Sequence, residues 1–299
     1  MLVSIALAPI ATATSAHAKV KVCQGEEQNY EQIAKGASSV EINTALWSAA
    51  DNGCLDLARR LLDGGASLQA RDGSGRMALA RAAKAGHADI VELFLQRGAP
   101  INARNLDGST ALFLAAEEDN SAIVELLIAH GADINLPGRS GLTPVAAAAY
   151  MGNEPSVRLL LDRGADLKAL DSMGKGPICY ASGRGFTSVV RLLLEHGVDV
   201  NARYGNDLTA LMWAAGHADS VGTVDVENLI TLLIDRGARL NEQDNRGRSA
   251  LMIAAALGHS AAVELLLKAG ADRGLHDKDG KTASDLAANG ALRAELASR

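Results

Sequence analysis

Asp244-Asn245-Arg246-Gly247-Arg248-Ser249-Ala250-Leu251-Met252-Ile253-Ala254-Ala255-Ala256-Leu257-Gly258-His259 is the stretch that decides the fold. Its first four residues read as a polar turn in which Gly247 supplies a positive φ. Ser249 then offers an oxygen to the free N–H groups of a short helix over 250–256, and Gly258 ends that helix. The continuation, 261–269, places Val263, Leu266 and Leu267 at helical spacing on a buried side. Gly270 takes the left-handed position that follows. The product is a pair of antiparallel helices with an apolar side on each flank. Alone it cannot bury both, so units of the same kind must stack against it.

Such units are present. Gly65, Gly98, Gly131, Gly164, Gly197, Gly237 and Gly270 each precede a small apolar residue, and the gaps between them are 33, 33, 33, 33, 40 and 33 residues. A fixed period in this range is the signature of stacked supersecondary units. Units begin near Thr44, Met77, Thr110, Thr143, Gly176, Thr209 and Ser249, with a partial one from Thr282. Its helix from Ala291 to Leu296 reads as a cap. The single long gap is an insertion of seven residues within 218–225, between the two helices of the sixth unit. It reads either as a tolerated loop or as a functional projection.

Composition agrees with close-packed helices. Hydrophobic residues make up 48% of the 299, yet aromatics only 3%, so Ala and Leu carry the apolar mass. A β-sandwich would want Val, Ile and aromatics. The net charge of −6 argues against a sequence-independent nucleic-acid binder. The apolar run 2–10 is far shorter than the roughly 20 residues that span a bilayer.

That run is followed by Thr12, Thr14 and Ser15, then Ala16-His17-Ala18 before Lys19. Small residues at −3 and −1 after an apolar core predict an export signal over 1–18, although no Lys or Arg precedes the run. The alternative is an Ala/Thr-rich leader on a cytoplasmic protein. In an oxidising compartment Cys23 and Cys54 can close a loop that pins the N-terminal segment to the first unit; the alternative is two separate thiols. Cys179 reads as a small buried hydrophobe.

The repeat accounts for most residues that would otherwise suggest chemistry. His87, His217 and His259 lie near the link between the paired helices, and His130 and His196 in the last helical turn, where they suit the dipole. Gly73-Ser74-Gly75-Arg76-Met77-Ala78 fits a dinucleotide pattern, but no strand precedes it. Gly138-Arg139-Ser140-Gly141 is a turn of the same kind. Glu117-Glu118-Asp119, at the end of a first helix, reads as a solvated face. No catalytic residue, cofactor or metal site is expected.

The unit resembles the ankyrin repeat. The family's T-P-L-H-x-A pattern corresponds to Thr143-Pro144-Val145, Gly176-Pro177-Ile178, Thr110-Ala111-Leu112 and Thr209-Ala210-Leu211. Gly-His occurs at Gly86-His87 and Gly258-His259, and the closing motif as Gly131-Ala132-Asp133-Ile134-Asn135. The resemblance runs from about Thr44 to the C-terminus. His is missing at the fourth motif position, where Trp47, Ala80, Phe113, Ala146, Cys179, Met212 and Met252 stand. The fold implied is an all-α solenoid of stacked helix-turn-helix units with β-turn tips: about seven repeats plus a C-terminal cap. Domain bounds are then 1–18 for the signal, 19–43 for an N-terminal capping segment and 44–299 for the array.

In this family partners usually contact turn tips and the exposed side of the first helices, which together line a concave groove. Carried over position by position, that map holds Arg139, Leu142, Tyr150, Met151, Met173, Lys175, Tyr180, Arg184, Leu208, Trp213, Arg246 and Arg248. An apolar patch rimmed by charge marks a recognition surface; the alternative is that Tyr180 and Trp213 tuck into the seam between units. The resemblance implies a non-catalytic binding scaffold for a protein partner, with ridge arginines favouring an acidic one. The chain itself is expected to be a monomer, exported to a bacterial periplasm. A stoichiometric subunit that stabilises or inhibits a periplasmic enzyme is the alternative.

Overall fold

The computed structural model describes residues 10–217 and 220–297. Residues 1–9 of the expected export signal, and 218 and 219 of the insertion, lie outside the described residues. Among those described, regular structure consists of seventeen α-helices, two single turns of 3-10 helix and one isolated bridge, Tyr204 to Leu208. Two compact units are present, Met1–Ala115 with Asn120–Asp133, and Ala116–Asp119 with Ile134–Arg299.

The first unit opens with α1 (Ile10–Ile33), followed by α2 (Ser39–Asn52), α3 (Leu55–Asp63), α4 (Ala78–Ala85) and α5 (Ala88–Gln96). Next come α6 (Ala111–Glu117), divided between the units, and α7 (Ser121–Ala129). α4 lies against α2 and α5, while α5 packs between α3 and α7. The helix pairs of the second unit are α8 (Pro144–Met151) with α9 (Glu154–Asp162), α10 (Pro177–Gly183) with α11 (Thr187–Glu195), and α12 (Ala210–Ala215) with α13 (Thr223–Asp235). They continue as α14 (Ala250–Leu257) with α15 (Ser260–Lys268), and α16 (Ala283–Leu286) with α17 (Gly290–Ala297). Here α8, α10, α12, α14 and α16 pack in that order. α9, α11, α13 and α15 form a parallel row.

First helices approach through alanine. Ala82, Ala83, Ala148, Ala149, Ala181, Ala214 and Ala254 are fully buried, and side chains this small let neighbouring helices close in. Second helices supply the bulk: Ile90, Val91 and Phe94 in α5, Val157 and Leu160 in α9, Val189 and Leu193 in α11. All seven period-defining glycines have φ between 80° and 95°, the left-handed region predicted for them. In the deciding stretch Ser249 accepts from Met252 N as expected, and α15 buries Val263 and Leu266. Leu267, expected inside, is half-buried on the flank of the same helix.

The turns are built on one aspartate. Asp72 Oδ1 accepts from the N–H groups of Ser74 and Arg76, both at 2.9 Å. Asp171, Asp244 and Asp277 do the same with the residues two and four ahead. Where that place holds Gly138 or Tyr204, the turn tightens into 3-10 geometry, with Ser140 and Asn206 at φ 55° and 64°. Successive turns in the second unit are tied by single backbone bonds, including Ser172 N to Ser140 O, Gly205 N to Gly174 O and Lys278 N to Arg246 O.

Two expectations need correction. The first repeat does not start its helix at Thr44. α2 begins five residues earlier, because Ser38 and Glu41 form a reciprocal capping box, and Thr44 sits inside the helix with its hydroxyl donating to Val40 O. The insertion is not wholly a loop either. α13 has 13 residues where α9, α11 and α15 have 9, so part of the surplus lengthens the second helix.

At the N-terminus α1 packs on α2 and α3. A disulfide joins Cys23 to Cys54, with Cα atoms 5.3 Å apart. Arg60 adds ion pairs to Glu27 and Glu31, at 3.2 and 3.6 Å. At the other end Leu292 and Leu296, one turn apart on α17, are buried.

Candidate functional site: an aromatic face topped by two cations

The aromatic residues of the second unit converge because their repeat neighbours are small. Tyr180 and Trp213 are 33 residues apart and occupy the same place on α10 and α12. The equivalent place on α8 is Ala147, which leaves room for Tyr150, one turn on, to meet Tyr180 edge-on at 5.5 Å and 81°. Gly183, equivalent to Tyr150, lies under Trp213: a Cβ there would already be 3.5 Å from Cε3 of the indole. Such edge-to-face pairs add roughly 0.5–1.5 kcal/mol beyond area burial.

Two cations cover these rings. Lys175 Nζ, from the turn before α10, lies 4.8 Å from the Trp213 ring and 5.5 Å from that of Tyr180. Arg184, at the C-cap of α10, stands 4.5 Å over Tyr150 and 5.6 Å from Phe186. Cation–π contacts are worth roughly 0.5–1 kcal/mol at exposed sites. Tyr150, Met151 and Met173 are exposed, whereas Tyr180 and Trp213 are half-buried. Each of these two rings is thus wedged at the seam between neighbouring first helices, partly covered and partly open. The Tyr180 hydroxyl donates to Asp171 Oδ2. Burial, and then that carboxylate, push the Tyr180 pKa well above its ordinary value. Trp213 Nε1 is buried without an acceptor, as is Trp47 Nε1 in the first unit.

Five of the twelve expected contact residues thus form one cluster: Tyr150, Lys175, Tyr180, Arg184 and Trp213. Of the other seven, Met151 follows Tyr150 and Met173 lies two residues before Lys175, both exposed, and the remaining five do not join it. Arg139 is paired with Glu117, Arg246 with Asp244 at 3.0 Å, and Arg248 with Asp277 at 3.5 Å. Leu142 and Leu208 are half-buried beside the turns. Glu117, expected on a solvated face, is instead buried under Arg139. Asp171 and Phe186 were absent from the expectation. For Asp171 the signal is its spacing of nine to Tyr180, the spacing that in the first unit joins Asp72 to Arg81 at 2.5 Å.

With turn, helix pair and exposed first-helix face in place, the comparison with known families is decisive. A family profile described as ankyrin repeats (3 copies) matches residues 20–105, 79–171, 164–226 and 222–294. The chain belongs to the ankyrin-repeat family. No curated protein matches it. Ankyrin repeats generally mediate protein–protein interaction, and several other polar residues of this array serve its framework. His87 and His259 reach back to the carbonyls of Asp51 and Ala215, both at 2.9 Å. Asn153 does the same to Ala116 and Glu117. His130 and His196 donate through Nδ1 to Leu126 O and Leu192 O, closing their own helices as the dipole argument expects. At the fourth ankyrin position the Cys179 thiol is buried, which pushes its pKa up to about 12 and keeps it from acting as a nucleophile. Among the described residues no group of three His, Cys, Asp or Glu is placed to hold a metal, and no helix is long and apolar enough to cross a membrane.

Proposed function

We propose that this ankyrin array is a non-catalytic scaffold. It docks a protein partner on the exposed side of α8, α10 and α12, and the partner presents carboxylates to Lys175 and Arg184. One observation carries the reading. The other basic residues assigned to this face, Arg139, Arg246 and Arg248, each have a carboxylate of their own chain, whereas Lys175 and Arg184 rest on rings alone. Cations held in place by aromatic faces keep their full charge for an incoming anion, and the rings beside them supply apolar contact area. Met173 and Met151 extend that area with adaptable side chains.

The partner is met outside the cytosol, in a bacterial periplasm. Residues 1–18 are an export signal, 19–43 a capping segment and 44–299 the array. The Cys23–Cys54 bond supports this, since disulfides persist in oxidising compartments. N-terminal sequencing of protein recovered from its own cells should begin at Lys19; protein beginning at Met1 would overturn the export reading.

The docking face is tested by cross-linking in the native cell fraction with the wild-type chain and with Lys175→Glu/Arg184→Glu. The wild type should yield one dominant adduct, and the double variant at least tenfold less of it with unchanged helical circular dichroism. Equal yield from the two would reject the face. Recovery in equal amounts, resistant to salt, would favour the permanent enzyme subunit instead.

A further inference from the structure

The irregularity of the sixth repeat builds a second concavity, which meets the aromatic face at Arg184 and Phe186. A cavity of about 990 Å³ lies between α11 and α13. Its rim is set by the inserted residues Ser220, Val221 and Gly222, and by the four-residue extension at the start of α13. The rim is anchored. Val221 packs onto the backbone of Gly185, whose φ of 76° and missing Cβ make the approach feasible: a Cβ there would collide with Val221 Cγ1. Thr187 Oγ1 adds a bond to Asp225 O at 3.4 Å, from one wall to the other.

The two walls carry opposite charge. α11 and the turn before it contribute Arg184 and Arg191, and α13 contributes Asp225, Glu227 and Asp235. Among the described residues Arg191 has no carboxylate partner, and none of those three carboxylates has a basic one. Here the cavity holds them apart. Between the walls Phe186, Leu232 and Leu265 form an apolar floor, and Asn228 and Thr231 offer amide and hydroxyl groups along the edge.

We propose that this cavity binds a peptide segment in which an apolar residue is flanked by an acidic and a basic one. Three carboxylates in the lining repel a simple anion, and two arginines repel a metal cation. A peptide of mixed charge satisfies both walls, sets its apolar side chain on the floor and meets the edge groups with its backbone. The volume suits it, standing at the upper end of the roughly 300–1,000 Å³ typical of ligand sites. This site shares Arg184 and Phe186 with the docking face above, while Lys175 takes no part in it.

The test is calorimetric titration of the full chain with the capped hexapeptide Glu-Leu-Lys-Glu-Leu-Lys. Comparison ligands are the all-Glu/Leu and all-Lys/Leu hexapeptides and maltotriose. The mixed peptide should bind, the single-sign peptides about tenfold more weakly, and maltotriose not at all. Arg191→Glu, an exposed change, should weaken the mixed peptide about tenfold with circular dichroism unchanged. Lys175→Glu should leave it unaltered. Absence of binding, equal binding of a single-sign peptide, indifference to Arg191→Glu, or a preference for maltotriose would each overturn the proposal.

Discussion

At the scale of single residues, the turn aspartate organises the molecule. Burial alone would raise the Asp72 pKa. The hydrogen bonds from Ser74, the Arg76 N–H and Arg81 outweigh burial and hold it at about 2. A carboxylate depressed below its unfolded value of 3.8 contributes its full stability above that pH and loses it as pH falls towards about 2. The side chain is 9% exposed, so a difference on the order of 2 kcal/mol is expected. Asp72→Asn should therefore lower unfolding free energy by roughly that amount at pH 7, and the gap should narrow between pH 4 and 2 in urea titrations. A gap that stays constant with pH would assign the loss to packing rather than charge. The same role recurs at Asp171, where Tyr180 replaces Arg81 as the donor. Tyr180→Phe should cost about 1 kcal/mol of stability while leaving partner capture intact, because its ring faces the partner and its hydroxyl does not. Loss of capture with stability unchanged would reverse that division. Such aspartates were legible in the sequence as recurring turn residues. Their second task was not, because it depends on a side chain nine residues on that differs from repeat to repeat.

At the scale of elements, the sequence gives the hairpins readily and their edges less so. Gly258 and Ser249 bound α14 as expected because a left-handed glycine and a hydroxyl cap act locally. The start of α2 was missed because the threonine of the repeat pattern competes with Ser38 and Glu41, whose capping box lies outside the period. The helical part of the insertion was missed for a similar reason: a surplus in a periodic sequence has no pattern of its own. Pairing partners such as Glu117 and Arg139 are 22 residues apart and carry no periodic mark. α1 packs on α2 and α3 with little of its own surface covered. None of its side chains at 19–32 is buried, so the Cys23 bond is its one covalent tie beside partial packing on α2 and α3. Closing 31 residues is worth about 3–4 kcal/mol on a chain-entropy estimate. Reduction, or Cys23→Ser, should speed amide exchange throughout α1 while α4 and α5 keep their protection. Uniform loss of protection would mean that the bond holds up more than the cap. Gly185→Ala should shift Val221 and open the rim of the second cavity, costing at least about 1 kcal/mol through the forbidden φ alone.

At the scale of the molecule, the repeats explain why so much of the framework and so little of its purpose can be read from composition. Stacking fixes alanines, glycines and turn aspartates; the exposed faces are free to vary, and their grouping emerges only when three successive first helices stand side by side. Tyr150, Tyr180 and Trp213 could be assigned to one face by counting. That Lys175 and Arg184 would lie on those rings, while Arg139, Arg246 and Arg248 would be committed elsewhere, depended on which carboxylate happened to be nearest. The molecule is acidic, with a net charge of −6, so a patch of two unneutralised cations stands out against its surroundings. The most direct test of docking on this face is a photo-reactive phenylalanine analogue placed singly at Tyr150, Met173 or Arg158 and irradiated in living cells. Adducts of one common mass from Tyr150 and Met173, with none from Arg158 on α9, are the predicted result. Adducts from Arg158 with none from the other two would contradict it.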